Sequence, residues 1–294
     1  MRFGVCIPNN HGIEHVRDLV GVAKEAEELG YDSAWVSDHL FHASYVAERL
    51  GSRPYHEALT VLAAAAVATE RIRLGTSVLV LPWHHPVRLA KAIASLDDLS
   101  NGRITLGVGV AAAADEYANL GIEFVRRGEV ANEILAAFER LWADDVPTFE
   151  GRTIRFSELR FQPKPHQQPR PPILVGGDSP AAFRRIAAFG DGWHPLSLSA
   201  NQVREGIARI SADSHRNPIE VAVRLVLQFE DEPSERPLEG RRTMRGTPDE
   251  MVHMVRGYEE AGATELVVDA SSGELATVRD RHERFRNDVI VHLG

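Results

Sequence analysis

The alternation of short β-branched runs with amphipathic helical stretches, along the whole chain, is the feature that most constrains its fold. Eight strands are predicted, at 3–7, 32–37, 72–80, 104–110, 172–176, 192–196, 219–229 and 264–269. Apolar residues recur at helical spacing in 16–29 and 87–99, and each stretch is followed by glycine, at Gly30 and Gly102. Strands that alternate with helices favour a parallel sheet, so about eight such units predict a closed (β/α)8 TIM barrel. A doubly wound open sheet is the alternative fold.

Two segments interrupt this alternation of strands and helices. Residues 146–172 are rich in proline and predict an insertion between the fourth and fifth strands. Residues 230–248 form a polar stretch with several arginines, which predicts either a lid or a plain solvated loop. A length of 294 residues with 44% hydrophobic residues is typical of one large α/β core, so we expect residues 1–294 to form a single barrel domain.

The composition of the chain disfavours several classes of function. The net charge of -9 disfavours nucleic acid as a partner, because phosphate binding needs a positive surface field. The chain shows no signal-peptide pattern and no apolar run of the roughly 18 residues that a membrane span needs, which predicts a cytoplasmic protein. Cys6 is the only cysteine and lies in an apolar run, so a buried thiol is expected. The strong excess of arginine over lysine is typical of a GC-rich, actinobacterial genome.

An acid and an imidazole stand side by side where the second strand should end. Asp38 and His39 follow the run 32–37, and parallel barrels keep their chemistry at the carboxyl ends of the strands. A histidine titrates near pH 6.5 and can therefore act as an acid or a base under ordinary conditions. The pair is interpreted either as catalytic or as a hydrogen-bonded turn.

Small residues mark the ends of the third, fourth and fifth strands. Ser77, Gly107 and Gly109 would let a flat ligand approach the backbone closely. Gly176 and Gly177 precede a helix that is predicted to begin with a serine cap and a proline, at 179–180, and such a turn exposes amides toward an anion.

The sixth strand brings an aromatic ring and a second imidazole, Trp193 and His194. Trp193 is interpreted either as a contact to a bound ligand or as an ordinary core residue.

Several sequence segments resemble those of a known family. They lie at 30–41, 69–76, 85–91, 96–103, 190–193 and 246–250. Together they resemble the luciferase-like monooxygenase superfamily and, within it, the branch of coenzyme F-420 dependent oxidoreductases. Members with either the deazaflavin or flavin mononucleotide (FMN) hold the cofactor in similar barrels.

The resemblance implies where the cofactor lies. Its ring would rest in the barrel mouth above Ser77 and Val78, a pair that relatives often join by a non-proline cis peptide. Gly107 and Gly109 would line the ring.

For the remaining site residues, the resemblance implies that Gly176 and Gly177 receive the phosphate of the cofactor tail and that Trp193 also lies against the cofactor. His39 matches the active-site histidine of the family, and Asp38 would orient it or contact the ring. A substrate pocket is expected from the first loop at 9–11 and from residues 41–56, together with Trp83, the insertion and the 230–248 segment.

One departure from the family pattern concerns the loop after the fourth strand. Many relatives have Gly-Trp there, followed by Glu-Glu-Phe, whereas this chain has four alanines at 111–114 and then Asp115-Glu116-Tyr117. Contacts of this loop to a cofactor or substrate would then be lost. The run is equally compatible with a simple helix start, because alanine is the best helix former.

Three functions remain open. The first is an oxidoreductase that transfers hydride between coenzyme F-420 and a small organic substrate, or instead uses reduced FMN and oxygen as a monooxygenase; the family resemblance also implies a homodimer. The second is a noncatalytic flavin-binding barrel. The third is a metal-dependent barrel hydrolase, suggested by 13 histidines, but no cluster has metal-ligand spacing and no metal is predicted.

Overall fold

The closed parallel barrel is built from eight strands. The computed structural model describes residues 1–213, 219–232, 243–270 and 272–293. The barrel strands are β1 (Arg2–Cys6), β2 (Ser33–Val36), β3 (Arg73–Thr76), β4 (Ile104–Gly109), β5 (Ile173–Gly176), β6 (Gly192–His194), β7 (Glu220–Phe229) and β8 (Glu265–Asp269). Each pairs in parallel with the next along the chain, and β8 pairs with β1. The predicted (β/α)8 barrel is confirmed, and the open-sheet alternative is wrong because the ring of strands closes.

Helices surround the barrel. They are α1 (Val16–Glu28), α2 (Ser44–Leu50), α3 (Ala58–Ala68), α4 (Pro86–Leu99), α5 (Ala114–Asn119), α6 (Arg127–Ala143), α7 (Pro180–Phe189), α8 (Ala200–Asp213), α9 (Pro248–Glu260) and α10 (Leu275–Asp288). The predicted helices 16–29 and 87–99 correspond to α1 and α4. The short helices α2 and α5 lie in the loops after β2 and β4, where they can present side chains to the mouth of the barrel. None of the described helices combines the length and the apolar character needed to cross a membrane.

The third strand is shorter than the predicted 72–80. After Thr76 the chain bulges through a cis peptide bond between Ser77 and Val78, as the family resemblance implies. It then resumes as a two-residue strand, Leu79–Val80, which pairs with the end of β4.

The predicted insertion is confirmed, whereas part of the segment predicted as a lid or loop is a strand. The insertion lies between α6 and β5 as predicted, and it contains an antiparallel hairpin of Phe149–Glu150 with Arg155–Phe156. Within 230–248 the structure places a strand, Thr243–Gly246, in parallel with the end of β7, because its backbone pairs with Val226–Phe229. This part is therefore sheet and not a loop, and residues 233–242 of the predicted lid lie outside the described residues.

The amino-terminal end of the barrel is closed by charged side chains. The carboxylate of Glu220 accepts hydrogen bonds from Arg2 and, at 3.0 Å, from Arg73. Arg2 also donates to the fully buried Glu265 at 3.2 Å. The interior above this network is filled by Cys6, Trp35, Leu174, Ala222 and Val267. Cys6 is buried as expected, and burial raises the pKa of its thiol to about 12. These side chains therefore block the amino-terminal end of the barrel interior.

Candidate active site

The floor of the mouth is the bulge after β3. The Val78 side chain lies beside three glycines, Gly107, Gly109 and Gly176. A β-carbon on these glycines would stand 3.5, 2.5 and 3.0 Å, respectively, from a Val78 methyl. Their missing side chains thus make room for the bulge itself, and the predicted contact of Gly107 and Gly109 with a cofactor ring stays a prediction.

Gly107 is the tightest of these positions. A β-carbon there would lie 1.9 Å from the backbone oxygen of Thr76, and backbone cannot yield as a flexible side chain can. We expect Gly107→Ala to lower the free energy of unfolding by about 2 to 3 kcal/mol, measured by denaturant titration. Gly257→Ala in α9 is the control: no atom lies within 4 Å of its added β-carbon, so helix propensity should leave it equally or more stable. An unchanged midpoint for Gly107→Ala would contradict the close approach of the two strands.

A hydrogen-bond chain below the floor holds Ser77. Its hydroxyl accepts from Arg224 at 2.9 Å and donates to His194 Nε2 at 2.7 Å, while His194 Nδ1 donates to the carbonyl of Ala222 at 2.7 Å. The His194 ring stacks on Trp35 with centroids 4.8 Å apart. Burial and the nearby Arg224 lower the pKa of His194 to about 3, so this imidazole stays neutral and serves to hold Ser77.

The turn after β5 has the expected geometry. Gly177 has a φ of +90°, which favours glycine, and Ser179 caps α7 by accepting from the amide of Ala182 at 3.2 Å. Trp193 donates to the carbonyl of Gly177 at 2.7 Å, but it is fully buried and its ring packs on Phe183 of α7. Trp193 thus packs as a core residue that also holds the turn, and its predicted contact with a cofactor stays a prediction.

His39 projects into the mouth and both of its ring nitrogens are engaged. Nδ1 makes a short hydrogen bond with the carboxylate of Glu116, a residue of α5 that is 1% exposed. Nε2 lies 2.8 Å from the hydroxyl oxygen of Tyr45. The rings of Tyr55 and Trp83 each lie with their centroids 5.5 Å from that of His39. An imidazole backed by a buried carboxylate can hold or release a proton, and the surrounding rings limit the access of water.

Asp38 does not orient His39. Its Oδ2 accepts from the amide of Val80 at 2.9 Å and from His84 Nε2 at 3.1 Å. The two side chains therefore have different partners although they are neighbours in the sequence. The structure gives the orienting role to Glu116, and the predicted contact of Asp38 with a cofactor ring stays a prediction.

Glu116 and Arg224 are the two functional candidates that sequence reasoning did not place in the site. Glu116 belongs to the acidic pair that follows the alanine run, and this chain shares that pair with the family pattern. The shared pair could have indicated Glu116 as a site residue. Arg224 is a lone cation within the apolar run of β7, and a buried charge requires a partner or a role.

Buried polar atoms without a hydrogen-bond partner gather around this mouth. Within the described residues they include Asp38 Oδ1, Tyr55 Oη, Trp83 Nε1, Glu116 Oε2 and Arg224 Nε. Buried polar groups in folded proteins are usually paired, so such a concentration is typical of a site that binds a polar ligand. By contrast, the described part of the chain contains no group of three or more His, Cys, Asp or Glu residues placed to hold a metal ion, and the hydrolase alternative gains no support.

Comparison with known proteins agrees with this geometry. The family model described as luciferase-like monooxygenase matches residues 1–266. The chain is 29% identical to an F420-dependent glucose-6-phosphate dehydrogenase from Intrasporangium calvum, over 94% of this chain and 95% of that protein. Two solved structures share the fold. A monooxygenase, RslO1, from Streptomyces bottropensis superposes with a TM-score of 0.85 at 24% identity over 100% of both chains. An F420-dependent secondary alcohol dehydrogenase has a TM-score of 0.81 at 18% identity, over 100% of this chain and 99% of the other.

The match of the family model over most of the chain, on a closed barrel whose mouth carries His39 and the bulge at Ser77, identifies the protein as a member of the luciferase-like monooxygenase family of oxidoreductases.

Proposed function

We propose that this protein is a dehydrogenase or reductase that transfers hydride between coenzyme F-420 and a small organic substrate. The observation that carries the proposal is the hydrogen bond between His39 and the buried Glu116 at the mouth of the barrel. Oxidation of an alcohol carbon to a carbonyl, or its reversal, requires a partner that takes or gives one proton, and an imidazole held by a carboxylate suits that task. The similarity to a named F420-dependent dehydrogenase along nearly the full chain supports the choice of cofactor.

The residues at the mouth fit a flat deazaflavin ring with an anionic tail. Ser77 and Val78 form the floor, and the glycines of the neighbouring strand ends make room for the Val78 side chain. The unpartnered Asp38 Oδ1 offers an acceptor for a ring N–H group. The turn at Gly177, ahead of α7, can direct backbone amides toward a phosphate. When bound, the cofactor would accept or supply the hydride.

The chain's own residues would manage the proton. His39 would hold it and Glu116 would stabilise the imidazolium, because the carboxylate is buried and its charge is poorly screened. Tyr55 and Trp83 would keep water from the reacting atoms. The alanine run at 111–114 does not remove the loop from the site, since the next turn supplies Glu116.

The alternative is a monooxygenase that uses reduced FMN and oxygen. It is favoured by the description of the matching family and by the fold shared with the Streptomyces monooxygenase. Both cofactors have a flat tricyclic ring and a phosphate, so the features of the floor and turn do not distinguish them.

Fluorescence titration of the purified protein with oxidised coenzyme F-420 and, separately, with FMN tests the proposal. We expect saturable binding of the deazaflavin and much weaker binding of FMN. Selective binding of FMN would establish the monooxygenase alternative instead. Binding of neither compound would contradict both and favour a barrel in which the alanine run has abolished cofactor contact.

A further inference from the structure

The hydrogen bonds of His39 form a line that runs from the interior to the surface. The buried carboxylate of Glu116 stands at one end, with 1% of the residue exposed. The phenol of Tyr45 stands at the other end, on the short helix α2, with 49% of the residue exposed. The two rings meet edge to face, with centroids 5.7 Å apart and an angle of 85° between their planes.

This arrangement leaves the imidazole no nitrogen for a substrate. In neutral histidine one ring nitrogen donates and the other accepts. A carboxylate only accepts, so Nδ1–H donates to Glu116 and Nε2 accepts the phenolic O–H of Tyr45. A carboxylate that orients an imidazole, which in turn takes the proton of a hydroxyl group, is the general arrangement by which proteins activate a hydroxyl.

We propose that Tyr45 is the catalytic residue that exchanges the proton with the substrate, with His39 behind it and Glu116 as the positioning carboxylate. The inference rests on the proposed function. The rings of Tyr45, Tyr55 and Trp83 around His39 favour an alcohol or carbonyl substrate with apolar substituents.

The proposed alcohol oxidation conserves atoms and electrons. The phenolic proton of Tyr45 moves to Nε2 of His39, and the phenolate oxygen takes the hydroxyl proton of the alcohol. As that O–H bond breaks, the C=O bond would form and the carbon would release its hydrogen as hydride, which a bound oxidised deazaflavin would accept with its two electrons. One alcohol would become one ketone, and the proton would reside on the imidazolium beside Glu116. Ketone reduction reverses each transfer.

Tyr55 offers a matched comparison. Its ring lies against His39 like that of Tyr45, but its hydroxyl makes no hydrogen bond to the imidazole. Burial, with Asp38 and Tyr45 nearby, raises the pKa of Tyr55 well above its ordinary value, so its phenol resists ionisation. The variants Tyr45→Phe and Tyr55→Phe therefore remove one hydroxyl each from the same aromatic enclosure.

The experiment measures oxidation of 2-propanol, cyclohexanol and 1-phenylethanol with oxidised coenzyme F-420 by the full-length protein and both variants. We expect Tyr45→Phe to lower kcat/KM about 100-fold and to change its pH profile, with cofactor affinity within about two-fold of the wild type. Tyr55→Phe also removes a hydroxyl of the site, but one without a hydrogen bond to His39, so it should lower kcat/KM less than Tyr45→Phe does. In ¹⁵N spectra of labelled histidine, Tyr45→Phe alone should shift the Nε2 resonance of His39.

Five outcomes would overturn the inference. A wild-type rate and pH profile in Tyr45→Phe would make Tyr45 a passive cap, and a faster rate would make it an obstruction. An equal loss in both variants would assign the effect to aromatic packing. In each of these cases, cofactor binding and alcohol turnover by the wild type would leave the proposed function standing. If the wild type binds coenzyme F-420 but oxidises none of the alcohols, only this inference fails. If it binds no coenzyme F-420, the proposed function fails as well.

Discussion

Replacing His39 with alanine should lower kcat/KM by about 100- to 10,000-fold while the affinity for coenzyme F-420 stays within about two-fold of the wild type. The imidazole is the link between Glu116 and Tyr45, so its removal interrupts every route for the proton. The floor at Ser77 and the turn at Gly177 do not depend on His39, so the cofactor should still bind. Steady-state kinetics and fluorescence titration of the same preparations measure the two quantities separately.

Two further variants sharpen this prediction. Glu116→Gln keeps the size of the side chain but removes the charge that stabilises an imidazolium, so a loss of about 100-fold is expected. His42→Ala removes a histidine of the same loop whose Nδ1 bonds the backbone oxygen of Gly51 at 2.8 Å, and it should retain activity. Loss of cofactor binding in His39→Ala would instead identify the imidazole as a binding contact, and full activity would exclude it as the proton partner.

The barrel and the position of His39 could be predicted because both depend on local order along the chain. Eight β-branched runs separated by helical patterns determine a parallel sheet, and the carboxyl ends of its strands meet at one mouth. Asp38 and His39 directly follow β2, so the location of the pair needed no knowledge of long-range contacts. The separate roles of Asp38 and His39 do depend on long-range contacts, since Asp38 accepts hydrogen bonds from Val80 and His84.

The partner of His39 depends on loop geometry that local patterns do not encode. Glu116 follows β4, a strand that is not adjacent to β2 in the barrel, and α5 must fold back over the mouth to bring its carboxylate to the imidazole. Tyr45 likewise depends on the direction of α2. Both lie within segments that the family pattern or the expected pocket had marked, but only the structure pairs them with one histidine.

Trp193 and Arg224 illustrate the two faces of a barrel strand. Alternate residues point inward and outward, so His194 faces the interior while Trp193 faces the helices. The sequence 192–196 does not show which of the two faces inward, so the orientation of Trp193 could not be predicted from it. Arg224 was a clearer signal, since a cation in the middle of ten strand residues must be paired.

Arg224→Met is expected to lower the free energy of unfolding by about 3 to 5 kcal/mol, the usual effect of breaking a buried ion pair. The guanidinium donates to Asp269 Oδ2 at 2.7 Å, to the backbone oxygen of Ser77 at 2.8 Å and to Ser37 Oγ at 3.1 Å. The side chains of Arg224 and Asp269 are 9% and 7% exposed, so water cannot replace the lost cation. Denaturant titration at neutral pH measures the loss.

A double variant separates the charge from the packing. In Arg224→Met/Asp269→Leu both charges are gone, and replacing a buried pair with apolar side chains is often close to neutral, so the double variant should be more stable than Arg224→Met. Arg279→Met is the surface control, because its partner Glu25 lies 2.7 Å away but both side chains are exposed, and only a small change is expected. If Arg224→Met were no more destabilising than Arg279→Met, the pair would not stabilise the fold. Arg224 would then remain in the barrel as a permanent cation beside Ser77, under the floor on which the cofactor is proposed to bind, and a weaker affinity of the variant for coenzyme F-420 would be the expected sign of that role.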